Sequence, residues 1–103
     1  MTARYQVVLS EQAIEDITSI GRWITDEADL ETAIAYVSRI EAFCLKLCDF
    51  PRRGALRDDL MVGVRTVSFE RRVVVAYRID GRTVSILRAV SGARDVARLF
   101  DDS

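Results

Sequence analysis

Histidine is entirely absent from this 103-residue sequence. Its absence excludes hydrolytic sites in which an imidazole activates a serine or cysteine nucleophile. The phosphate-binding P-loop and the GxGxxG dinucleotide motif are missing as well. Proline occurs once and glycine five times, so regular helices and strands with short turns are favoured over a loop-rich scaffold. The sequence therefore lacks the catalytic residues and nucleotide-binding motifs that are common in enzymes that act alone.

Long apolar runs and a cysteine framework are also lacking. No stretch near the N-terminus is apolar for long enough to serve as a signal peptide or a membrane span, which predicts a cytoplasmic protein outside membranes. Cys44 and Cys48 lie four residues apart on a predicted helix, where they stack on one face. Without histidine to assist, we interpret them as small buried thiols. We expect no disulfide, metal site or cofactor.

Hydrophobic residues are plentiful, at 50% of the chain against 30% charged residues. That balance supports a hydrophobic core and argues against disorder. A length of 103 residues leaves no room for a second core, so residues 1–103 are predicted to form a single domain.

Charge is divided unevenly along the chain. Residues 1–50 contain four basic and nine acidic side chains, whereas residues 51–100 contain eleven basic and five acidic ones. Asp101 and Asp102 bring the net charge to −1. Fourteen of the fifteen basic residues are arginine, whose planar guanidinium group pairs well with carboxylate or phosphate. The second half is thus suited to an acidic partner, either nucleic acid or protein, although some arginines simply solvate exposed strands.

Two amphipathic helices are predicted in the first half. After a short strand over Tyr5–Leu9, Ser10 is expected to cap a helix that runs to about Asp26. Asp29 is expected to cap a second helix, which ends near Asp49 because the single proline, two residues later, disfavours helical geometry. The short link between them predicts an antiparallel hairpin. Each helix has one apolar stripe, formed by Ala13, Ile17, Ile20 and Ile24 in the first and by Ala33, Val37, Ile40, Cys44 and Leu47 in the second.

The apolar period changes from helix to strand in the second half. Runs rich in β-branched residues cover Val64–Phe69, Arg72–Ile79 and Thr83–Val90. Asp80-Gly81 predicts a tight type I′ turn between the last two runs, because glycine accepts the positive φ that this turn requires. A short helix over Arg94–Phe100 is expected to close the chain.

The last strand is expected to be central in the sheet, with both faces covered. Alternation places Val84, Ile86 and Val90 on one face, and Leu87 and Ala89 on the other. The element order is β-α-α-β-β-β-α, in which the first strand joins the others after the helical hairpin. We therefore predict an α+β fold, with an antiparallel helical hairpin packed on a mostly antiparallel four-stranded sheet.

The polar side chains suggest no catalytic set. The acidic pairs Glu15–Asp16, Asp26–Glu27 and Asp58–Asp59 are adjacent in sequence, so their carboxylates diverge and are expected to be solvated. Trp23 and Tyr77 are interpreted as packing residues, the tyrosine with a satisfied hydroxyl. The only polar set that could converge on one surface consists of Arg65, Arg72, Arg78, Arg88 and Arg94.

Several motifs resemble the ParE branch of the ParE/RelE toxin superfamily, and the resemblance extends over essentially the whole chain. The first helix begins with Ser10-x-x-Ala13-x-x-Asp16, and the second is followed by Leu47-x-x-x-Pro51-x-x-Gly54. Gly63-x-Arg65, Tyr77-Arg78-Ile79 and Ala93-Arg94-Asp95 complete the pattern. No single motif is specific, but together they occur in the family's order and spacing.

The resemblance implies the toxin of a bacterial type II toxin–antitoxin pair. ParE toxins are held to inhibit DNA gyrase, and a ParD-like antitoxin wraps an acidic and apolar segment over the toxin. We therefore expect a cytoplasmic hetero-oligomer with the antitoxin, and no direct DNA binding by the toxin alone. Antitoxin binding is assigned to Arg65, Arg72, Arg78 and Arg88. Toxicity and gyrase binding are assigned to Arg94, Val96, Arg98, Leu99 and Phe100.

The runner-up interpretation is a RelE-like ribosome-dependent mRNA endoribonuclease that uses Arg65, Arg78 and Arg94. Nucleases of the superfamily use basic residues on the sheet, commonly with a tyrosine or histidine near the C-terminus. This chain has Ser91 where many relatives have histidine, and no tyrosine follows Tyr77, so a proton-transfer partner is missing. We therefore expect no enzymatic activity. A third interpretation is a family member that has lost toxicity and only binds its antitoxin.

Overall fold

The structure of the protein is a computed structural model that describes residues 5–91. The predicted helix over Arg94–Phe100 lies outside these residues. A 3-10 turn at Lys46–Cys48 extends the second helix. The other elements are β1 (Gln6–Leu9), α1 (Glu11–Glu27), α2 (Leu30–Leu45), β2 (Ala55–Leu56), β3 (Val64–Phe69), β4 (Val73–Asp80) and β5 (Thr83–Ser91).

Both predicted helix caps are confirmed. The backbone N–H of Ala13 donates to the Ser10 hydroxyl oxygen at 3.0 Å. The N–H of Thr32 donates to the Asp29 carboxylate at 2.7 Å, and this bond lowers the pKa of Asp29. Each cap satisfies a backbone donor that the first helical turn leaves without a partner.

The two helices pack against each other as an antiparallel hairpin. They approach closely at the middle, since a Cβ atom on Gly21 would lie 3.1 Å from the Cγ2 atom of Val37. The predicted apolar stripes are the buried sides of the helices. Their most buried members are Ala13, Ile17, Ala33, Ile40, Cys44 and Leu47.

Within residues 5–91 the sheet has five strands in the order β1-β5-β4-β3-β2, rather than the four strands predicted. The additional strand, β2, pairs with Arg65 and Thr66 of β3. With only two residues, β2 is too short to show an alternating pattern, so the sequence offers no signal for it. β1 runs parallel to β5, and the other neighbours are antiparallel. β5 lies between β1 and β4, which confirms its predicted central position.

The two hairpin turns differ from expectation. Asp80 pairs with Thr83, so the turn consists of Gly81 and Arg82 instead of Asp80-Gly81. Within this turn, Gly81 has a positive φ (59°) and Arg82 does not. This is the pattern of a type II′ turn and not of the predicted type I′. Both central residues of the β3–β4 turn, Glu70 and Arg71, have positive φ, as in type I′.

A β-bulge at Leu87 interrupts the alternation of β5. Ala76 pairs with Arg88 while Tyr77 pairs with Ile86, so one residue of β5 has no opposite neighbour. The bulge shifts the following residues by one position. Ala89 therefore packs with Ile86 on the hairpin side, and Val90 packs with Leu87 on the other face. The predicted faces of Ala89 and Val90 are wrong for this reason.

Two apolar clusters occupy the two faces of the sheet. The larger one lies between sheet and hairpin and includes Val73, Val75 and Tyr77 of β4. The smaller one is centred on Val64 and Ala76, with Leu60, Val74, Leu87 and Val90 packed against it. The predicted alternation of β4 is thus confirmed. Within residues 5–91, neither helix is long and apolar enough to cross a membrane.

The first turns of α1 are clamped onto the bulge. The Ser10 hydroxyl donates to the Leu87 carbonyl oxygen at 2.9 Å. The Asp16 carboxylate accepts two bonds from Arg88, at 2.8 and 3.0 Å, and one from the Ala89 N–H at 2.9 Å. These bonds to Asp16 raise the pKa of Arg88. The Asp16 side chain is only 16% exposed, so the prediction that it is a solvated acid is wrong.

Replacing Asp16 with alanine is expected to destabilise the protein by about 2–3 kcal/mol. The change leaves the largely buried Arg88 charge without its carboxylate, and the Ala89 N–H without its acceptor. Chemical denaturation would measure the loss. Glu15→Ala removes the adjacent, exposed carboxylate and is expected to change the free energy of unfolding by less than about 0.5 kcal/mol. Equal effects of the two variants would contradict the clamp.

The free energy of unfolding is expected to fall as the pH rises from about 9 to about 11. Burial, with a smaller contribution from Glu41, raises the pKa of the Cys44 thiol from 9.0 to about 11. Between these values the folded state holds a proton that the unfolded chain releases, so stability is lost as pH rises. Denaturation across this interval would measure it. Cys44→Ala is expected to show a smaller fall, and an unchanged fall would contradict this origin.

Candidate functional site

Two of the predicted site arginines form hydrogen bonds within the protein that stabilise its fold. Arg88 is held by Asp16 in the clamp at the bulge. Arg65 donates from Nη1 to the carbonyl oxygen of Gly54 at 2.8 Å. Both guanidinium groups therefore stabilise contacts between distant segments of the chain, and the sheet does not bring them together.

Arg65 and Arg78 lie on opposite faces of the sheet. Arg65 is the cross-strand neighbour of Tyr77, whose side chain belongs to the hairpin-side cluster. Arg78 is the neighbour of Val64, which belongs to the cluster on the other face. The Arg78 guanidinium lies 3.6 Å from the Asp80 carboxylate, and its side chain is 42% exposed. The convergence that the sequence allows for these arginines is therefore wrong for this pair.

Arg72 belongs to the β3–β4 turn rather than to the strand predicted to begin there. Its backbone N–H donates to the Phe69 carbonyl oxygen at 3.0 Å and closes the turn. The assignments of antitoxin binding and of toxicity stay predictions. The C-terminal members of the set, namely Arg94, Val96, Arg98, Leu99 and Phe100, lie outside the described residues.

The hydroxyl of Tyr77 organises the loop that follows α2. It donates to the Pro51 carbonyl oxygen at 2.7 Å and accepts from the Gly54 N–H at 2.8 Å. A Cβ atom at Gly54 would lie 2.7 Å from this hydroxyl and 2.8 Å from the Thr66 carbonyl oxygen, so only glycine fits. Burial raises the pKa of Tyr77, opposed by the Gly54 N–H and by nearby arginines. The predicted packing role of Tyr77, with a satisfied hydroxyl, is confirmed.

A groove of about 950 Å³ opens between the helical hairpin and the β3–β4 turn. We call it the hairpin groove. Trp23 lines it with 61% of its surface exposed, which differs from the packed position expected for this residue. Exposed aromatic side chains beside a groove are typical of protein-binding surfaces. The other lining residues include Ile20, Ile24, Glu27, Ala35, Tyr36, Arg39, Arg71, Arg72 and Ser91.

An ion pair between α2 and the β3–β4 turn borders the hairpin groove. Arg39 donates to both oxygens of Glu70, at 2.8 and 3.1 Å, and lowers the pKa of Glu70. The same guanidinium lies 5.1 Å from the ring centroid of Tyr36, which packs edge-on against Phe69. Because both charged side chains are about half exposed, the pair adds little stability. Its main consequence is to hold the turn beside α2.

In the β3–β4 turn, residues other than glycine occupy positions of positive φ, where glycine is usually preferred. Glu70 has a φ of 49° and Arg71 a φ of 61°, a conformation that costs non-glycine residues on the order of 1 kcal/mol each. In return, Glu70 binds Arg39 and Arg71 lines the hairpin groove. Among the described residues, three arginines and Glu27 line the groove, and because Glu70 neutralises Arg39, the positive charge comes from Arg71 and Arg72. This surface is suited to an apolar segment that carries carboxylates.

Sequence reasoning does not identify Trp23, Arg39 or Arg71 as site residues. They meet only because the hairpin and the β3–β4 turn pack together, and no local pattern encodes that contact. The one available signal is that Glu70-Arg71 interrupts two strand-like runs with charged residues. Within residues 5–91, no three acidic or cysteine side chains are arranged to hold a metal ion.

Comparison with known sequences identifies the family. The family model of the ParE toxin of type II toxin–antitoxin systems, parDE, matches residues 7–96. Toxin ParE3 of Caulobacter vibrioides is 33% identical over 92 residues, which cover 89% of this chain and 91% of that protein.

Solved structures share the fold. A chain of the chromosomal ParDE toxin–antitoxin system from P. aeruginosa matches with a TM-score of 0.75 at 25% identity, over 84% of this chain and 95% of that chain. The toxin–antitoxin complex RelBE2 from Mycobacterium tuberculosis matches with a TM-score of 0.66 at 21% identity, over 87% and 100%. The predicted RelE/ParE-like α+β fold is confirmed. This chain belongs to the ParE toxin family of type II toxin–antitoxin systems.

Proposed function

We propose that this chain is a toxin that binds and inhibits DNA gyrase, without cutting RNA, and that a ParD-like antitoxin neutralises it. Membership of the ParE family supports the first part. The absence of RNA cleavage is supported by one observation: the sheet separates Arg65 from Arg78. The nuclease interpretation needs both arginines at one site.

RNA cleavage through the 2′-hydroxyl needs one group to remove a proton and another to protonate the leaving oxygen. Arginine is a poor proton shuttle, because its very high pKa keeps the guanidinium group charged throughout the working pH range. The hydroxyl of Tyr77 is buried and already bonded to Pro51 and Gly54. Inhibition by binding needs only a surface of complementary shape and charge, which the exposed residues of the toxin supply.

The antitoxin is proposed to occupy the hairpin groove. The groove is apolar at Trp23 and Ile24 and positive at Arg71 and Arg72, which matches an amphipathic helix with acidic residues along one edge. We further propose that the toxin acts in the cytoplasm as a hetero-oligomer with its antitoxin, and that it does not bind DNA by itself. Arg65 and Arg88 act through the fold, Arg65 at the loop after α2 and Arg88 at the start of α1, whereas Arg72 contacts the antitoxin directly.

The residues after the sheet are proposed to contact gyrase. They combine charge with apolar side chains, as protein interfaces commonly do. In this proposal, residues 1–103 act as one domain, with the antitoxin on the hairpin groove and the target on the C-terminal residues Arg94, Val96, Arg98, Leu99 and Phe100.

Induction of the protein is expected to stop DNA replication and to inhibit gyrase, while mRNA on translating ribosomes stays intact. Binding without proton transfer predicts this combination. Supercoiling assays with purified gyrase and primer extension on cellular mRNA would measure the two activities. Removing residues 96–103 is expected to abolish toxicity and to spare antitoxin binding. Early codon-specific mRNA cuts with normal supercoiling would favour the ribonuclease instead.

Arg72→Glu is expected to weaken antitoxin binding about tenfold or more, and Trp23→Ala by a similar factor. The first introduces repulsion against acidic residues, and the second removes a large exposed aromatic from the groove. Titration calorimetry with the antitoxin encoded beside the toxin would measure both. Arg22→Glu, on the exposed surface of α1, serves as the matched charge control and is expected to bind normally.

The loss caused by Arg72→Glu is expected to shrink at high salt, because screening weakens the charge–charge part of the interaction. If Arg72→Glu and Arg22→Glu reduce binding equally at low salt, the hairpin groove is not the antitoxin site.

A further inference from the structure

The turn after α2 presents an aromatic ring and two guanidinium groups to solvent. Phe50 is 70% exposed, and Arg52 and Arg53 are exposed beside it. The Arg53 N–H donates to the Phe50 carbonyl oxygen at 3.1 Å, which closes a β-turn with Pro51 in its second position. The Arg53 guanidinium also lies 5.0 Å from the ring centroid of Phe43. A shallow pocket of about 550 Å³ lies against the four turn residues.

The Phe50–Arg53 turn rests on a rigid base. The buried hydroxyl of Tyr77 accepts from Gly54 and donates to Pro51, so it ties both ends of the segment that carries the two arginines. Arg65 adds a third bond, to the Gly54 carbonyl oxygen. A surface held in one conformation loses little entropy when it binds a partner.

Two outward side chains of this turn, those of Phe50 and Arg52, make no contact that the fold needs, whereas Arg53 stacks on Phe43. Among the described residues, Arg52 has no hydrogen bond or ion pair, and Phe50 belongs to neither core cluster. A rigid, exposed aromatic flanked by arginine combines the residue types that dominate binding energy at protein interfaces. The fold does not need an exposed Phe50 and Arg52 for its stability, which indicates that they bind a partner.

We propose that the Phe50–Arg53 turn is a docking surface, separate from the hairpin groove, for an acidic segment of the toxin's protein target. This inference rests on the proposed function. The Asp49–Arg53 stretch has two guanidinium groups against one carboxylate, so acidic residues on the partner complement it. The partner's apolar side chains pack against Phe50.

A protein segment fits this surface better than a nucleic acid does. Phosphate backbones are bound by stripes of many cations, whereas the turn offers two on a chain whose net charge is −1. Among the described residues β2 is an edge strand, and it begins at Ala55, one residue after the turn. The backbone groups on its outer side pair with no strand within residues 5–91, and the same extended segment is expected to bind them.

Phe50→Ala and Arg52→Glu, each in the full chain, test this surface. Both are expected to weaken gyrase inhibition at least tenfold in a titration with purified gyrase, and to relieve growth arrest after induction. Ile34→Ala, at a position 57% exposed on α2, is the matched apolar control, and Arg82→Glu is the charge control. Both controls are expected to stay fully toxic. All four variants are expected to keep the wild-type unfolding midpoint and antitoxin affinity.

The outcomes separate this inference from the proposed function. If the wild-type protein arrests growth without inhibiting gyrase, the proposed target is wrong, and relief of arrest by Phe50→Ala still supports the surface. Unchanged arrest with both turn variants would overturn the surface. Loss of antitoxin binding would make it an antitoxin contact instead, and RNA or DNA binding that depends on Arg52 would make it a nucleic-acid site. A wild-type chain that neither arrests growth nor inhibits gyrase would overturn both proposals.

Discussion

The contact between Asp16 and the bulge at Leu87 determines how the helical hairpin sits on the sheet. One carboxylate neutralises Arg88 and accepts the Ala89 N–H, so a charge and a backbone donor are satisfied together in a largely buried position. The bulge turns Ala89 toward the hairpin, where a regular strand would turn it away. Because Ser10 bonds the same stretch through its hydroxyl and its N–H, the end of β1 and the start of α1 are fixed by one contact.

Tyr77, which pairs with Ile86 beside the bulge, plays the equivalent part toward the β2 edge of the sheet, where its hydroxyl fixes the loop after α2. Both contacts draw on arginine, since Arg88 belongs to the first and Arg65 supports the second. A count of arginines in the second half of the chain therefore overstates the positive surface available to a partner. Of the predicted binding residues, Arg72 is the one that the structure places on the groove.

Apart from the overall fold and the central position of β5, the features predicted correctly from the sequence are those that depend on neighbours along the chain. Helix caps and apolar stripes need only residues within a few positions, and they were assigned to the right residues. The Asp16–Arg88 pair joins residues 72 positions apart, and its acid resembles any other on a helix surface. Turn type failed at Gly81 because one step in register moves glycine from the second central position to the first. The two-residue strand β2 and the bulge likewise depend on partners from distant segments.

The two proposed surfaces place a length requirement on the antitoxin. The hairpin groove is lined by α2 up to Arg39, whereas Phe50 follows the end of that helix. At 1.5 Å per helical residue, the path from Arg39 to the end of α2 is about 10 Å, and the turn lies beyond it. An antitoxin helix confined to the groove would leave the turn free to meet the target. Blocking both surfaces requires an extended tail of roughly five residues past the groove, at about 3.3 Å per residue. Neutralisation by steric exclusion therefore depends on the segment that follows the groove-binding helix, and not only on the affinity of that helix.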